Sequence, residues 1–202
     1  KQVKLRNRII KPAQVLGFAA EDGTASPMLI DFYAALAKGG VGLIIVESTC
    51  VDYPIGGKGQ NRLRIDDDAF VPSFSRLAET IHGHGCPTFL QLSHNGPAGH
   101  FSDLQPLASS ALSADDIPIS DPMVKYDPPR EMTLADIERA VEKHAEAAWR
   151  AKQAGFDGVE VHAGHSYLIN SFLSRAWNRR VDDYGCQTLE TRARFAAEIV
   201  GA

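Results

Sequence analysis

Apolar positions along the chain switch repeatedly between two periods. Around Ser26–Ala37 they follow helical spacing. Ser26 and Pro27 predict the cap and first residue of a helix, Ile30, Tyr33, Ala34 and Ala37 predict its inner face, and Gly39-Gly40 predicts its end. The run Val41–Val46 that follows is continuous and rich in β-branched residues, the pattern of a strand buried on both faces. The same unit recurs twice. A helix near Phe70–His82 leads through Gly83 and Gly85 to a strand over Pro87–Leu92. Thr133 with Asp136 predicts the cap of a third helix, whose apolar stripe is Leu134, Ile137, Val141 and Ala148. Gly155 stops that helix, and Asp157–His162 reads as the next strand. An earlier strand over Arg8–Pro12 precedes the series, and a further helix begins near Leu189.

Strands that alternate with helices predict a parallel sheet with right-handed crossovers. No glycine-rich GxGxxG or P-loop turn follows the first strand, which disfavours a dinucleotide or P-loop fold. The expected class is α/β, a (β/α)8 TIM barrel with about the first four βα units in residues 1–202. Two long connections, 50–66 and 95–129, follow strands. They belong on the C-terminal face, where barrel loops build active sites. The second holds Pro97, Pro106, Pro118, Pro122, Pro128 and Pro129. The chain opens at Lys1 without an initiator Met or signal peptide and closes at Ile199-Val-Gly-Ala202 within a helical pattern, so a piece of a longer protein is expected.

Composition narrows the function classes. A net charge of −4 and a pI near 6.0 give no basic patch for nucleic acid or a lipid surface. No apolar run approaches the roughly 20 residues of a membrane span. Cys50, Cys86 and Cys186 are scattered without a CxxC pair, so reduced thiols in a cytoplasmic protein and no zinc site are expected.

The candidate chemistry sits at strand ends, where barrel side chains face substrate. The second strand ends in Glu47-Ser48-Thr49, the third in Gln91-Leu-Ser93-His94, and the fourth in His162-Ala-Gly-His165-Ser-Tyr167. Three roles fit the two histidines. They could bind a metal, although no Asp or Glu stands in the pattern such sites want. They could cap the following helix, or they could donate hydrogen bonds to one oxygen on which negative charge develops. The neighbouring phenol of Tyr167, with a usual pKa near 10, would act as an acid.

Five ordered motifs resemble the Old Yellow Enzyme family of FMN-dependent NAD(P)H oxidoreductases. They are Leu5–Ala13, Gly39–Glu47, Gln91-Leu-x-His94, Pro129–Thr133, and Gly155–Leu168 with its continuation through Phe172-Leu-Ser174, Asn178, Arg180, Asp182, Tyr184-Gly185 and Arg192-x-Arg-Phe195. The resemblance implies that Pro12, Ala13, Gln14 and Val15 line a flavin ring, with Ser48 against it and Gln91 on its pyrimidine side. It implies that His162 and His165 hold the substrate's activating oxygen, that His162 also touches the flavin, and that Tyr167 delivers a proton. The expected cofactor is FMN, with NADH or NADPH as reductant. The expected reaction reduces the C=C of an enone or an enoyl or dienoyl substrate, and the expected partner is this small molecule, with a homo-oligomer possible.

The chain departs from the family pattern in places. Val15 stands where Thr, Ser or Cys is usual and cannot donate the hydrogen bond that tunes flavin potential. Gln14 replaces Met or Leu, and Pro97 replaces a frequent Arg. The turn between Tyr184 and Leu189 is about one residue longer than usual and makes Cys186 a loop residue. In the family a basic residue on the fifth strand and the phosphate loops after strands seven and eight complete the flavin site, and these fall beyond Ala202. Two further readings belong to other classes. One is a non-catalytic half-barrel or assembly module, and the other a metal-dependent barrel hydrolase using His162 and His165.

Overall fold

The computed structural model describes residues 2–57, 61–99, 104–113, 116 and 127–202. In chain order its elements are β1 (Ile10–Lys11), α1 (Pro27–Lys38), β2 (Leu43–Cys50), α2 (Val71–His82), β3 (Thr88–Ser93), β4 (Leu107–Ala108), β5 (Arg130–Glu131), α3 (Leu134–Gln153), β6 (Gly158–Val161), α4 (Leu168–Leu173) and α5 (Leu189–Gly201). They divide into two compact units. The first is Lys1–Val51, Gly59–Leu92 and Glu146–Val161, and the second Asp52–Lys58, Ser93–Ala145 and His162–Ala202.

The first unit carries the main sheet, in the order β1-β2-β3-β6. β1 runs parallel to β2 with Ile10 opposite Leu43, and β3 parallel to β6 with Gln91 opposite Glu160. The sequence explains the helices that cover it. Ser26 Oγ accepts from Leu29 N at 3.1 Å and Pro27 takes the first helical position, so α1 starts where two orphan amide sites are dealt with locally. Gly40, at φ 96, turns the chain out of α1 into β2. Leu29 and Tyr33 of α1, Phe74, Leu77 and Ile81 of α2, and Ile44 of β2 are fully buried in one core. Each such side chain contributes about 1.5–3 kcal/mol of burial. Asp157 secures the start of β6, accepting from Thr88 N at 3.1 Å and pairing with His82 Nε2 at 2.8 Å.

The second unit is built around a short parallel ladder in which Leu107 and Ala108 face Arg130 and Glu131. Arg180 reaches into it almost fully buried. Its Nη1 donates to Met132 O at 2.6 Å and Ser109 O at 3.2 Å, and its Nε and Nη2 donate to the Asp182 carboxylate at 3.0 and 2.5 Å. The start of α3 is a reciprocal box. Asp136 N donates to Thr133 Oγ1 at 3.2 Å and Thr133 N donates to Asp136 Oδ2 at 2.8 Å, while Arg130 clasps the same carboxylate at 2.7 and 2.9 Å. That pairing holds the Asp136 carboxyl well below the usual range. Phe172 of α4 stacks on Phe195 of α5 with centroids 4.4 Å apart.

Several expectations are corrected. The first strand spans only Ile10–Lys11, because Pro12 has no N–H to continue the ladder. In α3 the buried stripe is Ile137, Ala140, His144, Ala147 and Ala151, while Leu134 is exposed and Val141 half-buried. A histidine and four small or medium side chains occupy the inner face that the larger apolar residues had suggested. The connection 95–129 contains a helical turn at Gly96–Ala98 and strand β4, and the short helix α4 follows β6. Pro118 and Pro122 lie outside the described residues.

Candidate active site

His162, directly after β6, opens a tight turn that Tyr167 closes by donating its backbone N–H to Gly164 O at 3.0 Å. His165 and Ser166 both take the left-handed region, at φ 55 and 58. Two consecutive non-glycine residues there store on the order of 1–3 kcal/mol each, so the neighbours must hold them. Asn170 does so from α4. Its Oδ1 accepts from Ser166 N at 3.1 Å and its Nδ2 donates to Ala163 O at 3.2 Å. Trp177 Nε1 donates to Ser166 Oγ at 3.2 Å from beyond the helix. The sequence reading missed Asn170 and Trp177. An asparagine one helical turn after a histidine-rich turn was the available signal.

The strained turn brings three rings together. His165 Nδ1 lies 3.4 Å from His162 Nε2, with ring centroids 5.2 Å apart. Tyr167 stands edge-on to His162 at 4.6 Å and 84°. At that separation the two nitrogens share a hydrogen bond; with both protonated they can instead both reach one oxygen at about 2.9 Å. His162 and Tyr167 are half-buried and His165 is exposed. Among the described residues no group of three or more His, Cys, Asp or Glu could hold a metal ion.

A second support lies behind Tyr167. Leu168 N donates to His94 O at 3.1 Å, and Gly96 N donates to His94 Nδ1 at 3.0 Å. Gly96 sits at φ 55, and a Cβ there would stand 2.5 Å from Leu168 N and Cα. Only glycine fits, on both conformation and space. Gly96→Ala is expected to push Leu168 and the adjoining Tyr167 out of place and to slow turnover about tenfold or more. Single-turnover rates of the full-length protein check this, and an unchanged rate would remove the packing role.

His94 itself is buried, and burial, then the nearby His144 and Arg139, push its pKa down to about 3. His144 is also buried and its pKa is lowered, chiefly by desolvation. Its Nδ1 faces Ala140 O at 2.7 Å, and its Nε2 has no hydrogen-bond partner among the described residues. Beside them Arg139 forks onto buried Asp52 at 2.7 and 3.1 Å. His94, Asp52, Arg139 and the Arg130–Asp136 pair line a cavity of about 270 Å³ within the second unit.

The remaining sequence-predicted residues belong to the first unit. Pro12, Ala13, Gln14 and Val15 follow β1 as irregular chain. The amides of Ala13, Gln14 and Val15 have no hydrogen-bond partner among the described residues. Ser48 is half-buried on β2. Gln91 donates through Nε2 to Glu160 Oε1 at 2.5 Å, which fixes its side-chain plane and leaves its carbonyl oxygen available. Free amides, an oriented carboxamide and a small hydroxyl are a donor–acceptor set suited to the edge of a heteroaromatic ring that carries both carbonyls and ring N–H groups.

Comparison with known proteins decides the lineage. The model of the NADH:flavin oxidoreductase / NADH oxidase family matches residues 1–202. The chain belongs to that family. It is 44% identical over 199 residues to an NADH oxidase of Thermoanaerobacter brockii, covering 97% of this chain and 29% of the relative. Among solved structures it resembles the Old Yellow Enzyme homologue from Zymomonas mobilis, with a TM-score of 0.87 and 31% identity over 98% of this chain and 55% of that one. It also resembles morphinone reductase in complex with tetrahydroNAD, with a TM-score of 0.84 and 34% identity over 98% of this chain and 56% of that one. The chain thus spans about a third to a half of the proteins it matches. Its βα units are part of the TIM barrel of these Old Yellow Enzyme-type oxidoreductases, whose cofactor is FMN and whose reductant is NADH or NADPH.

Proposed function

We propose that the full-length protein is an FMN-dependent ene-reductase and that residues 1–202 form the N-terminal half of its barrel domain, the half that grips substrate and donates the proton. The reading rests on one observation above others, the meeting of His162, His165 and Tyr167 on one strained turn in a chain of this family.

FMN, when bound, would supply the hydride chemistry that links NAD(P)H to the β-carbon of an activated alkene. The chain's own residues do the rest. His162 and His165 direct N–H groups at the carbonyl oxygen of an enone-type substrate and stabilise the negative charge that gathers there as the β-carbon becomes electrophilic. Tyr167 offers its phenolic proton to the α-carbon from beside His162. The left-handed turn, pinned by Asn170 and Trp177, keeps oxygen-binding and proton-donating groups in a fixed relation, so little reorganisation is needed at the moment of reaction. Ala13, Gln14 and Val15 would hold the ring edge through backbone amides, and Gln91 through its carbonyl oxygen. Val15 can offer only its backbone there, so the ring's redox poise depends on main-chain contacts at this position.

The test is flavin loading. Full-length protein is expected to purify with FMN or take it up stoichiometrically, to lose its visible band on adding NADH or NADPH, and to regain it on adding 2-cyclohexenone. Failure to take up FMN would overturn the reading. The isolated 202-residue chain is expected to lose FMN on desalting, and a band that survives would show that this half holds the cofactor alone.

A further inference from the structure

In the first unit, a buried ionisable cluster touches both ends of the segment that leaves β1. At one end the ammonium of Lys11 donates to Pro12 O at 2.7 Å. At the other the Leu16 amide donates to Glu47 Oε1 at a long 3.4 Å. Glu47 is fully buried on β2. Its second oxygen accepts from the Tyr33 hydroxyl at 3.3 Å, and the same hydroxyl accepts from Glu47 N at 3.0 Å. Tyr33 is also fully buried, and Lys11 Nζ lies 5.6 Å from the centre of its ring. Carboxylate, phenol and ammonium thus form one connected group, and between its two grips lie Ala13, Gln14 and Val15, whose amides have no partner among the described residues.

A fully buried carboxylate is a poor choice if all that is needed is filling and cohesion. Desolvating it is expensive, and an apolar residue of similar volume serves as well or better. What a carboxylate adds is a charged acceptor with two oriented oxygens, which can fix a backbone amide and a hydroxyl at once. Here the amide it fixes is that of Leu16, whose side chain packs against the core. The environment is consistent with a strained electrostatic balance. Burial raises the Glu47 carboxyl and lowers the Lys11 ammonium, each opposed by the other, with Arg62 also acting on Glu47. Burial and the adjacent Glu47 drive the Tyr33 phenol far above its ordinary value, so it remains a donor.

We infer that Glu47 is a positioning residue for the cofactor. Held by Tyr33 and balanced by Lys11, it fixes Leu16 so that the amides of Ala13, Gln14 and Val15 are presented as a rigid row to the edge of the flavin ring. This rests on the FMN reading above. It adds a residue that does not touch the ring and acts through Leu16 alone. The row replaces what Val15 lacks in its side chain, because backbone donors must then be placed accurately.

The test uses full-length apoprotein, FMN titrated by quenching of flavin fluorescence, and the visible spectrum of the complex. Glu47→Leu removes both acceptors and is expected to weaken FMN binding at least tenfold and to shift the visible band. Glu47→Gln keeps an acceptor oxygen for Leu16 and is expected to restore affinity to within threefold of wild type with an unshifted band. Wild-type affinity and spectrum in Glu47→Leu overturn the inference, as does a Glu47→Gln variant as impaired as Glu47→Leu. If Glu47→Leu does not fold, Tyr33→Phe carries the test, since it keeps the ring and removes only the hydroxyl. A loss of at least threefold supports the inference, and an unchanged affinity overturns it. A wild-type protein that binds no FMN would instead sink the functional reading itself, so the two failures are distinct.

Discussion

Replacing Tyr167 by Phe in the full-length enzyme is expected to lower the rate of alkene reduction by about 10²–10⁴-fold, the usual worth of a positioned proton donor. The structure isolates this effect well. The Tyr167 hydroxyl has no hydrogen-bond partner among the described residues, so its removal orphans nothing. The ring keeps its edge contact with His162, and the backbone bond from Tyr167 N to Gly164 O is untouched. Stability should therefore stay within about 0.5 kcal/mol of wild type. Reduction by NAD(P)H needs no proton from this phenol and should keep its rate. Stopped-flow measurement of the two half-reactions separates the outcomes. A variant that is reoxidised by 2-cyclohexenone as fast as wild type would show that water or another side chain delivers the proton.

Acid is expected to destabilise the chain well before its carboxylate pairs titrate. An unfolded histidine binds a proton near pH 6.5, whereas folded His94 resists protonation until about pH 3. Between those values the unfolded state binds more protons, so stability falls as pH falls and is complete above pH 6.5. The slope is about 1.4 kcal/mol per pH unit per histidine, and for His94 the full window amounts to on the order of 5 kcal/mol. His144 acts in the same direction, because its lowered pKa also keeps it neutral in the fold. Glu47 acts in the opposite direction, because burial raises its carboxyl and the folded state takes up its proton first. Asp136, whose carboxyl is depressed, loses its contribution only at lower pH. Urea unfolding of wild type and His144→Leu between pH 7 and 4.5 resolves the histidine term, since both proteins share Glu47 and Asp136. Leucine removes an Nε2 that has no hydrogen-bond partner among the described residues, and the variant's pH slope should be shallower than that of wild type. Parallel slopes would mean that His144 is already protonated in the fold or reaches water.

What could be read in the sequence was whatever local chemistry determines. The start of α1 followed from Ser26 and Pro27, the box of α3 from Thr133 and Asp136, and β2 from an apolar run too long to be anything but a buried strand. The meeting of His162, His165 and Tyr167 was legible because a short turn leaves three neighbouring side chains nowhere else to go. Features set by tertiary pairing were not legible. β4 and β5 are two residues each, and the partnership of Leu107 with Arg130 is a matter of register between distant segments. α4 has six residues and no side-chain cap, so no periodicity marks it. The inner face of α3 was misassigned because His144 scores as polar, whereas the fold keeps it neutral and buried among alanines. Gln91 was identified as a site residue, but its bond to Glu160 appears only once β3 and β6 are in register. Asn170, Trp177 and Glu47 act through other residues, a role that residue type alone does not reveal.

The buried Arg180 has a consequence for the second unit. One guanidinium binds Ser109 O and Met132 O and is itself anchored by Asp182. The two feet of the proline-rich excursion are thereby held together by one side chain. The arrangement behaves as a crossbar, with Arg180, Ser109 and Met132 as its fixed members.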